Sequence, residues 1–323
     1  MMTFLDFEKP IAELEGRIRD LKKLAHEGTA GDLAEDVERL EAKRDRLLKA
    51  TYLKLTPAQK TKVARHPERP HFRDIIAQLF SDYMPLAGDR CFGEDRAIEG
   101  GLARFEGRSV MVIGHEKGGS TEERIAHNFG MGRPEGYRKA VRLMDMAERF
   151  GLPVLTFVDT PGAYPGKGAE ERGQAEAIAR AIDRMLRLRV PAIATIMGEG
   201  GSGGAVALAA ADRVLMMEHA IYSVISPEGC ASILWRTADK AEAAANALKI
   251  TADDLHALGV VDVVVPEPLG GAHRDPQTAL ATLGQTLSEQ LRELANRDPA
   301  DLPRLRREKF LAMGRNLSRK SRR

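Results

Sequence analysis

The sequence predicts an α/β fold: a largely parallel sheet with right-handed crossovers, an N-terminal helical hairpin arm and C-terminal helices. Three observations predict it. Between residues 153 and 218, apolar runs of strand length alternate with amphipathic helical stretches. Before residue 66, apolar residues recur at helical spacing among charges. Two glycine-rich segments each lie between such a strand and such a helix.

The arm comes first. Ile11, Leu14, Ile18, Leu21 and Leu24, then Val37, Leu40, Leu47 and Leu48, form two stripes, and the break at 28–32 folds them into a hairpin. Neither helix can bury its stripe alone, so the arm should pack on the main body or on another subunit. Pro67 and Pro70 disfavour helix and end it. Residues 97–105 and 109–115 read as strands joined tightly through Glu106-Gly107-Arg108. An amphipathic helix follows from Pro134 to Phe150, closed by Gly151. Next come a strand at 153–159, a helix from about 171 to 188, a strand at 192–197 and a helix from 204. Strands at 213–218, 221–226 and 260–265 complete the sheet, and the pattern from about 276 is helical. The expected division is an arm over 1–70, one α/β domain over 71–275 and a helical extension with a basic tail over 276–323.

With 323 residues, 43% hydrophobic and 30% charged, the chain can bury a large core and is too polar for a membrane protein. It has no apolar run long enough to span a bilayer, and residues 1–10 lack the layout of a secretory signal, so a cytoplasmic location is expected. Cys91 and Cys230 are too few for a disulfide framework or a four-thiolate zinc site. They read as reduced, buried or half-buried thiols, and no metal is expected. A net charge of +2 does not point to nucleic acid. The tail from Arg304 to Arg323 carries nine Lys/Arg against Glu308, which suits a solvated helix face or a frayed end, with an anionic partner as the sharper alternative.

The first glycine loop runs from Val154 through Asp159-Thr160-Pro161-Gly162-Ala163-Tyr164-Pro165-Gly166, the second from Ala192 through Gly198-Glu199-Gly200-Gly201-Ser202-Gly203-Gly204-Ala205. Glycine lets backbone approach a ligand closely, and a helix start leaves N–H groups free to meet negative charge. Three familiar motifs are weaker matches. Gly198 to Gly203 fits a dinucleotide fingerprint, but it lies deep in the chain where such domains open with it. Asp159-Thr160-Pro161-Gly162 looks like a GTPase loop, but no G-x-x-x-x-G-K-[ST] segment accompanies it. Gly200-Gly201-Ser202-Gly203-Gly204 fits a nucleophile elbow, but the late histidines His219, His256 and His273 offer no evident base.

Longer segments are more specific. Phe129-Gly130-Met131 and Pro134-Glu135-Gly136-Tyr137-Arg138-Lys139-Ala140, the two loops, and Ala169-Glu170-Glu171-Arg172-Gly173-Gln174 together resemble the carboxyltransferase alpha subunit of bacterial multi-subunit acetyl-CoA carboxylase. So do residues Tyr222 to Trp235 around Ser226-Pro227-Glu228-Gly229, and Pro266 to Arg274. With Phe4-Leu5-Asp6-Phe7-Glu8 the resemblance runs to about residue 300; the basic tail and Gly118-Gly119-Ser120 look like departures.

The resemblance implies a crotonase-like fold of ββα superhelical turns and a beta subunit of the same fold carrying a four-cysteine zinc ribbon. It further implies a biotin carboxyl carrier protein, a biotin carboxylase and an alpha2-beta2 core. The reaction it implies moves a carboxyl group from carboxybiotin to acetyl-CoA, giving malonyl-CoA for fatty-acid synthesis. Negative charge left on the ureido oxygen would be met by backbone N–H groups, so no Ser-His-Asp set is required. The expected oxyanion residues are Gly203, Gly204 and Ala205. Gly162, Ala163, Tyr164, Gly166, Gly200, Gly201 and Ser226 are expected to line the pocket, with Lys117 near a coenzyme A phosphate. Arg138 and Lys139 are candidates to meet the beta subunit, and Glu170 to Arg172 to favour a helix start. Two other readings stay open: another acyl-CoA enzyme on this fold, such as a hydratase using Glu199 or Glu170, and a non-catalytic binding or scaffold subunit.

Overall fold

A computed structural model describes residues 3–26 and 33–315; the expected hairpin break at 28–32 and the tail beyond 315 lie outside the described residues. The described strands are β1 (Ser81–Pro85), β2 (Ile98–Phe105), β3 (Arg108–His115), β4 (Val154–Thr160), β5 (Ala192–Gly201), β6 (Arg213–Met217), β7 (Ile221–Ser223) and β8 (Val263–Val265). They form one mixed sheet in the order β1-β2-β3-β4-β5-β6-β8, with β7 paired to the end of β5. The first three are antiparallel, and the β3–β4, β4–β5, β5–β6 and β6–β8 pairs are parallel. Every residue of β4 and β5 is buried, because central parallel strands are covered on both faces.

Two strand glycines show what covers each face. A Cβ at Gly100 would come within 2.6 Å of Leu143 on the Pro134–Arg149 helix, and one at Gly114 within 2.2 Å of Phe72 on the Phe72–Leu79 helix. Gly100 pairs with Ile113, so Gly114 faces the opposite way. The Gln174–Arg187 helix packs beside Pro134–Arg149, and the Pro276–Ala295 helix beside Phe72–Leu79. The β2–β3 turn closes through Glu106 and Gly107, both at positive φ (47° and 78°), as a two-residue hairpin requires.

The arm packs on the body of its own chain. The Lys9–His26 and Leu33–Tyr52 helices are followed by a third, Pro57–Ala64, started by Thr56 and Gln59 in a capping box. Ile11, Leu48, Tyr52 and Val63 form its small core. Arg274 ties it down, reaching Glu15 at 2.7 Å and Glu8 at 3.0 Å, while the Tyr52 hydroxyl donates to Glu8 at 3.0 Å.

Local chemistry explains where other elements depart from expectation. β1 was not anticipated; it is short and ends at a proline, so it carries little strand signal. The helix expected from about 171 starts at Gln174, after Gly173 at φ 80°, and a separate short helix, Lys167–Glu171, precedes it. The strand expected over 221–226 ends at Ser223, whose hydroxyl donates to the Ile225 carbonyl in a turn. Of residues 260–265, Val260 and Val261 instead close a turn on the Leu255 carbonyl. Cys230 is half-buried, whereas Cys91 is exposed, in the loop whose Asp89 carboxylate accepts three backbone N–H groups. Among the described residues no helix is long and apolar enough to cross a membrane.

Candidate active site

β4 and β5 run side by side and in parallel, so both glycine loops leave the same edge of the sheet, with Thr160 opposite Gly200. That carboxyl edge is where open α/β sheets bind ligands. The first loop is pinned at its start. The Thr160 hydroxyl donates to the Gly162 carbonyl at 2.9 Å and accepts the Gly162 N–H at 3.1 Å.

The second loop turns from strand to helix without a linker. Gly201 caps the Ser202–Ala209 helix, and Ser202 takes φ 50°, a conformation rare outside glycine. A Cβ at Gly201 would stand 2.2 Å from the Pro161 carbonyl oxygen. One at Gly204 would stand 2.8 Å from the Ala163 nitrogen, 2.9 Å from the Gly162 carbonyl carbon and 2.9 Å from the Tyr137 hydroxyl. Only glycine lets these two loops touch. Gly203 differs, because a Cβ there would make ordinary contact with Ile178 at 3.5 Å.

The helix start decides which donors are free. With Gly201 as cap, Ser202, Gly203 and Gly204 have no intrahelical acceptor, whereas Ala205 is the first N–H directed back along the helix. Of the residues expected at 203–205, Gly203 and Gly204 lie in this free first turn together with Ser202, and Ala205 is fully buried. Ser202 has the strained turn of a nucleophile elbow, yet among the described residues its hydroxyl meets no histidine. His256 is exposed and His273 stacks on His66 with ring centres 3.9 Å apart, so neither serves as a base for it.

An ion network backs the loops. Asp159, at the end of β4, accepts from the Lys117 ammonium at 2.6 Å and from the Glu199 N–H at 2.8 Å. Burial pushes the Asp159 carboxyl up, but the Lys117 charge and these hydrogen bonds outweigh it and hold it below its ordinary range. Arg65 bridges Glu199 at 2.6 Å and Glu228 at 2.7 Å, joining the second loop to the helix that follows Ser226. Arg65, His71, Lys117, Phe129, Asp159 and Glu199 line a cleft of about 200 Å³.

These pairings show where the other expected residues lie. The Lys117 ammonium, expected near a phosphate, is held by the Asp159 carboxylate at 2.6 Å. Glu199 is held by Arg65 and Glu170 is exposed, so neither of these two candidate acids is poised for a hydratase. Arg138 pairs with Asp89 at 2.9 Å and Lys139 with Glu94 within the chain. Ser226 caps the Pro227–Trp235 helix by accepting the Gly229 N–H at 3.0 Å. Tyr164 donates its N–H to the Gly132 carbonyl at 2.9 Å and lies across Gly166, which caps the Lys167–Glu171 helix. Gly200 is buried against the Tyr222 ring. Tyr137, Arg65 and the Asp159–Lys117 pair were not anticipated. The signal for Asp159 was present, an acid ending an apolar strand, but its partners come from distant segments.

Comparison with known proteins follows the same lines. The family model described as acetyl co-enzyme A carboxylase carboxyltransferase-like matches residues 4–314. The acetyl-coenzyme A carboxylase carboxyl transferase subunit alpha of Rhizorhabdus wittichii is 63% identical over 314 residues, 97% of this chain and 100% of the relative. That of Paracoccus denitrificans is 59% identical, over 97% of this chain and 98% of the relative. Among solved structures, the transcarboxylase 12S hexamer core with methylmalonyl-coenzyme A bound superposes with a TM-score of 0.59 at 22% identity. It covers 71% of this chain, which spans 42% of that longer one. The beta subunit of Pseudomonas aeruginosa geranyl-CoA carboxylase superposes with a TM-score of 0.54 at 20% identity, over 71% of this chain and 43% of the other. At such identities the likeness is one of fold, and that fold is crotonase-like.

Proposed function

Because the chain belongs to the family of acetyl-CoA carboxylase carboxyl transferase alpha subunits, we propose that its Gly201–Gly204 turn, walled by Gly162 and Ala163, receives the carboxyl donor. The chain is a carboxyltransferase subunit, and the naming of its relatives as alpha subunits implies a beta partner. The reaction we assign is transfer from carboxybiotin, carried on a biotin carboxyl carrier protein, to acetyl-CoA, giving malonyl-CoA. When bound, carboxybiotin supplies the carboxyl group and a ureido oxygen that becomes negative as the group departs.

This chain's part is electrostatic. The N–H groups of Ser202, Gly203 and Gly204 open from the positive end of a helix, and the contacts of Gly201 and Gly204 fix their direction. Donors held in this way need no reorganisation as charge develops, which is where such sites gain most of their rate. The cradle is tight behind the helix start, where neither Gly201 nor Gly204 has room for a Cβ, so its free N–H groups are held in place to meet a ligand oxygen. No side-chain nucleophile is required, in keeping with a Ser202 that has no histidine beside it.

The beta subunit, expected to bear a zinc ribbon, would complete the acyl-CoA side in an alpha2-beta2 core, with biotin carboxylase recharging the carrier. The observation that carries this reading is the direct contact of the two glycine loops at a helix start with no side-chain cap. The test is a mixing assay of this chain, a beta-type partner, a carboxybiotin donor and acetyl-CoA. Malonyl-CoA is expected from the mixture and from neither chain alone. No product from the mixture, or product from this chain by itself, overturns the assignment.

A further inference from the structure

Tyr137 lies in the first turn of the Pro134–Arg149 helix and is wholly buried. Its hydroxyl is wedged between two glycines: a Cβ at Gly132 or at Gly204 would come within 2.9 Å of it. At Gly204 the same point is where Gly162 and Ala163 close in. The hydroxyl therefore stands behind the junction of the two loops. Among the described residues it nevertheless has no hydrogen-bond partner.

An unpartnered buried hydroxyl destabilises a fold, and phenylalanine would fill the same space less one atom. For stability alone tyrosine is the poorer residue here. Such local conflicts belong to sites held for function. Burial, and then the Asp95 charge, keep the phenol protonated far above its ordinary range, so the group is a neutral spacer at any working pH.

We propose that Tyr137 is a positioning residue for carboxyl transfer, its hydroxyl setting the separation of Gly132 and Gly204 and so the aim of the N–H groups at 203–204. This rests on the role assigned above to the Gly201–Gly204 turn. Tyr137 acts through the backbone, since it is wholly buried against Gly132 and Gly204. Without the oxygen, Gly204 settles toward the ring and its N–H tilts away from the Ala163 wall.

The test is Tyr137→Phe in the full chain assembled with its beta partner. The expected result is a melting temperature equal to or above the parent's, a KM for acetyl-CoA within about twofold, and kcat lowered about tenfold or more. Amide hydrogen exchange at 202–205 in the variant chain should also quicken. Parental kcat with parental exchange overturns the proposal. So does a fall of melting temperature and kcat together, which marks an ordinary structural tyrosine. A parent complex that makes no malonyl-CoA overturns the functional reading instead, and the exchange measurement then still decides whether Tyr137 orders the turn.

Discussion

The Arg306 guanidinium is forked onto the Asp212 carboxylate, Nε to Oδ1 at 3.0 Å and Nη2 to Oδ2 at 2.7 Å, with both groups out of solvent. Its remaining nitrogen, Nη1, donates to the carbonyls of Met185, Leu186 and Leu188. Asp212 in turn accepts the Ala192 N–H at the start of β5 at 2.9 Å. One side chain of the Leu302–Ala312 helix thus closes the loop that leads into the site-bearing strand.

Removing Arg306 should leave a buried carboxylate and orphaned carbonyls. Arg306→Ala is expected to destabilise the chain by about 3–5 kcal/mol, as loss of one partner of a buried pair does. Arg306→Lys should recover little, because an ammonium cannot reproduce the planar fork. Urea unfolding of the three proteins measures this, and an alanine variant within about 1 kcal/mol of the parent would contradict it.

Gly203 and Gly204 are neighbours with opposite tolerance. Gly204→Ala places a methyl against backbone atoms of the first loop and should cost at least about tenfold in transfer through displacement of the donors. Gly203→Ala meets only Ile178 at 3.5 Å and keeps its N–H, so its activity should stay within about threefold of the parent. Steady-state rates of the assembled complex check the contrast, and equal losses would argue against it.

Lys117→Ala separates a structural role from a phosphate contact. Loss of the ammonium strands the Asp159 carboxylate, buried at the end of β4, and should lower stability by about 3 kcal/mol. The KM for acetyl-CoA should be unchanged at temperatures where the variant is folded. A raised KM with unchanged melting would restore the phosphate reading.

Two buried histidines predict an acid limit. Burial, then the positive charges nearby, push His273 from 6.5 down to about 3, and burial pushes His115 down to about 4. Among the described residues the His273 ring nitrogens have no hydrogen-bond partner. Each histidine binds a proton more readily in the unfolded chain, so their contribution is complete above the unfolded value of about 6.5 and is lost as pH falls toward 4. Melting temperature should be level above about pH 7 and fall below about 6.5, less steeply in His115→Gln. A parent profile flat down to pH 4 would sink the idea.

Much of this was legible in the residue order. The alternation from β4 to β6, the tight β2–β3 hairpin and the contact-forming glycines are local patterns, each read within a few residues of its own position. The elements that went unread are those whose signal is weak or non-local. β1 is short and held by its partner strand, and β7 is shortened by a serine hydroxyl that prefers a turn. The Lys117–Asp159 pair went unread for the same reason, since the two residues are 42 apart in the chain.

By itself the sequence determined the α/β class, the family and the two loops, because periodicity, turn chemistry and long ordered motifs are properties of contiguous residues. Only the tertiary structure decided which N–H groups are free, that Ala205 is not among them, that Lys117 and Glu199 are already paired, and that Tyr137 stands behind Gly204. Those facts depend on where a strand ends against its neighbour and on which distant charges meet in a low-dielectric interior. Spacing along the chain carries neither.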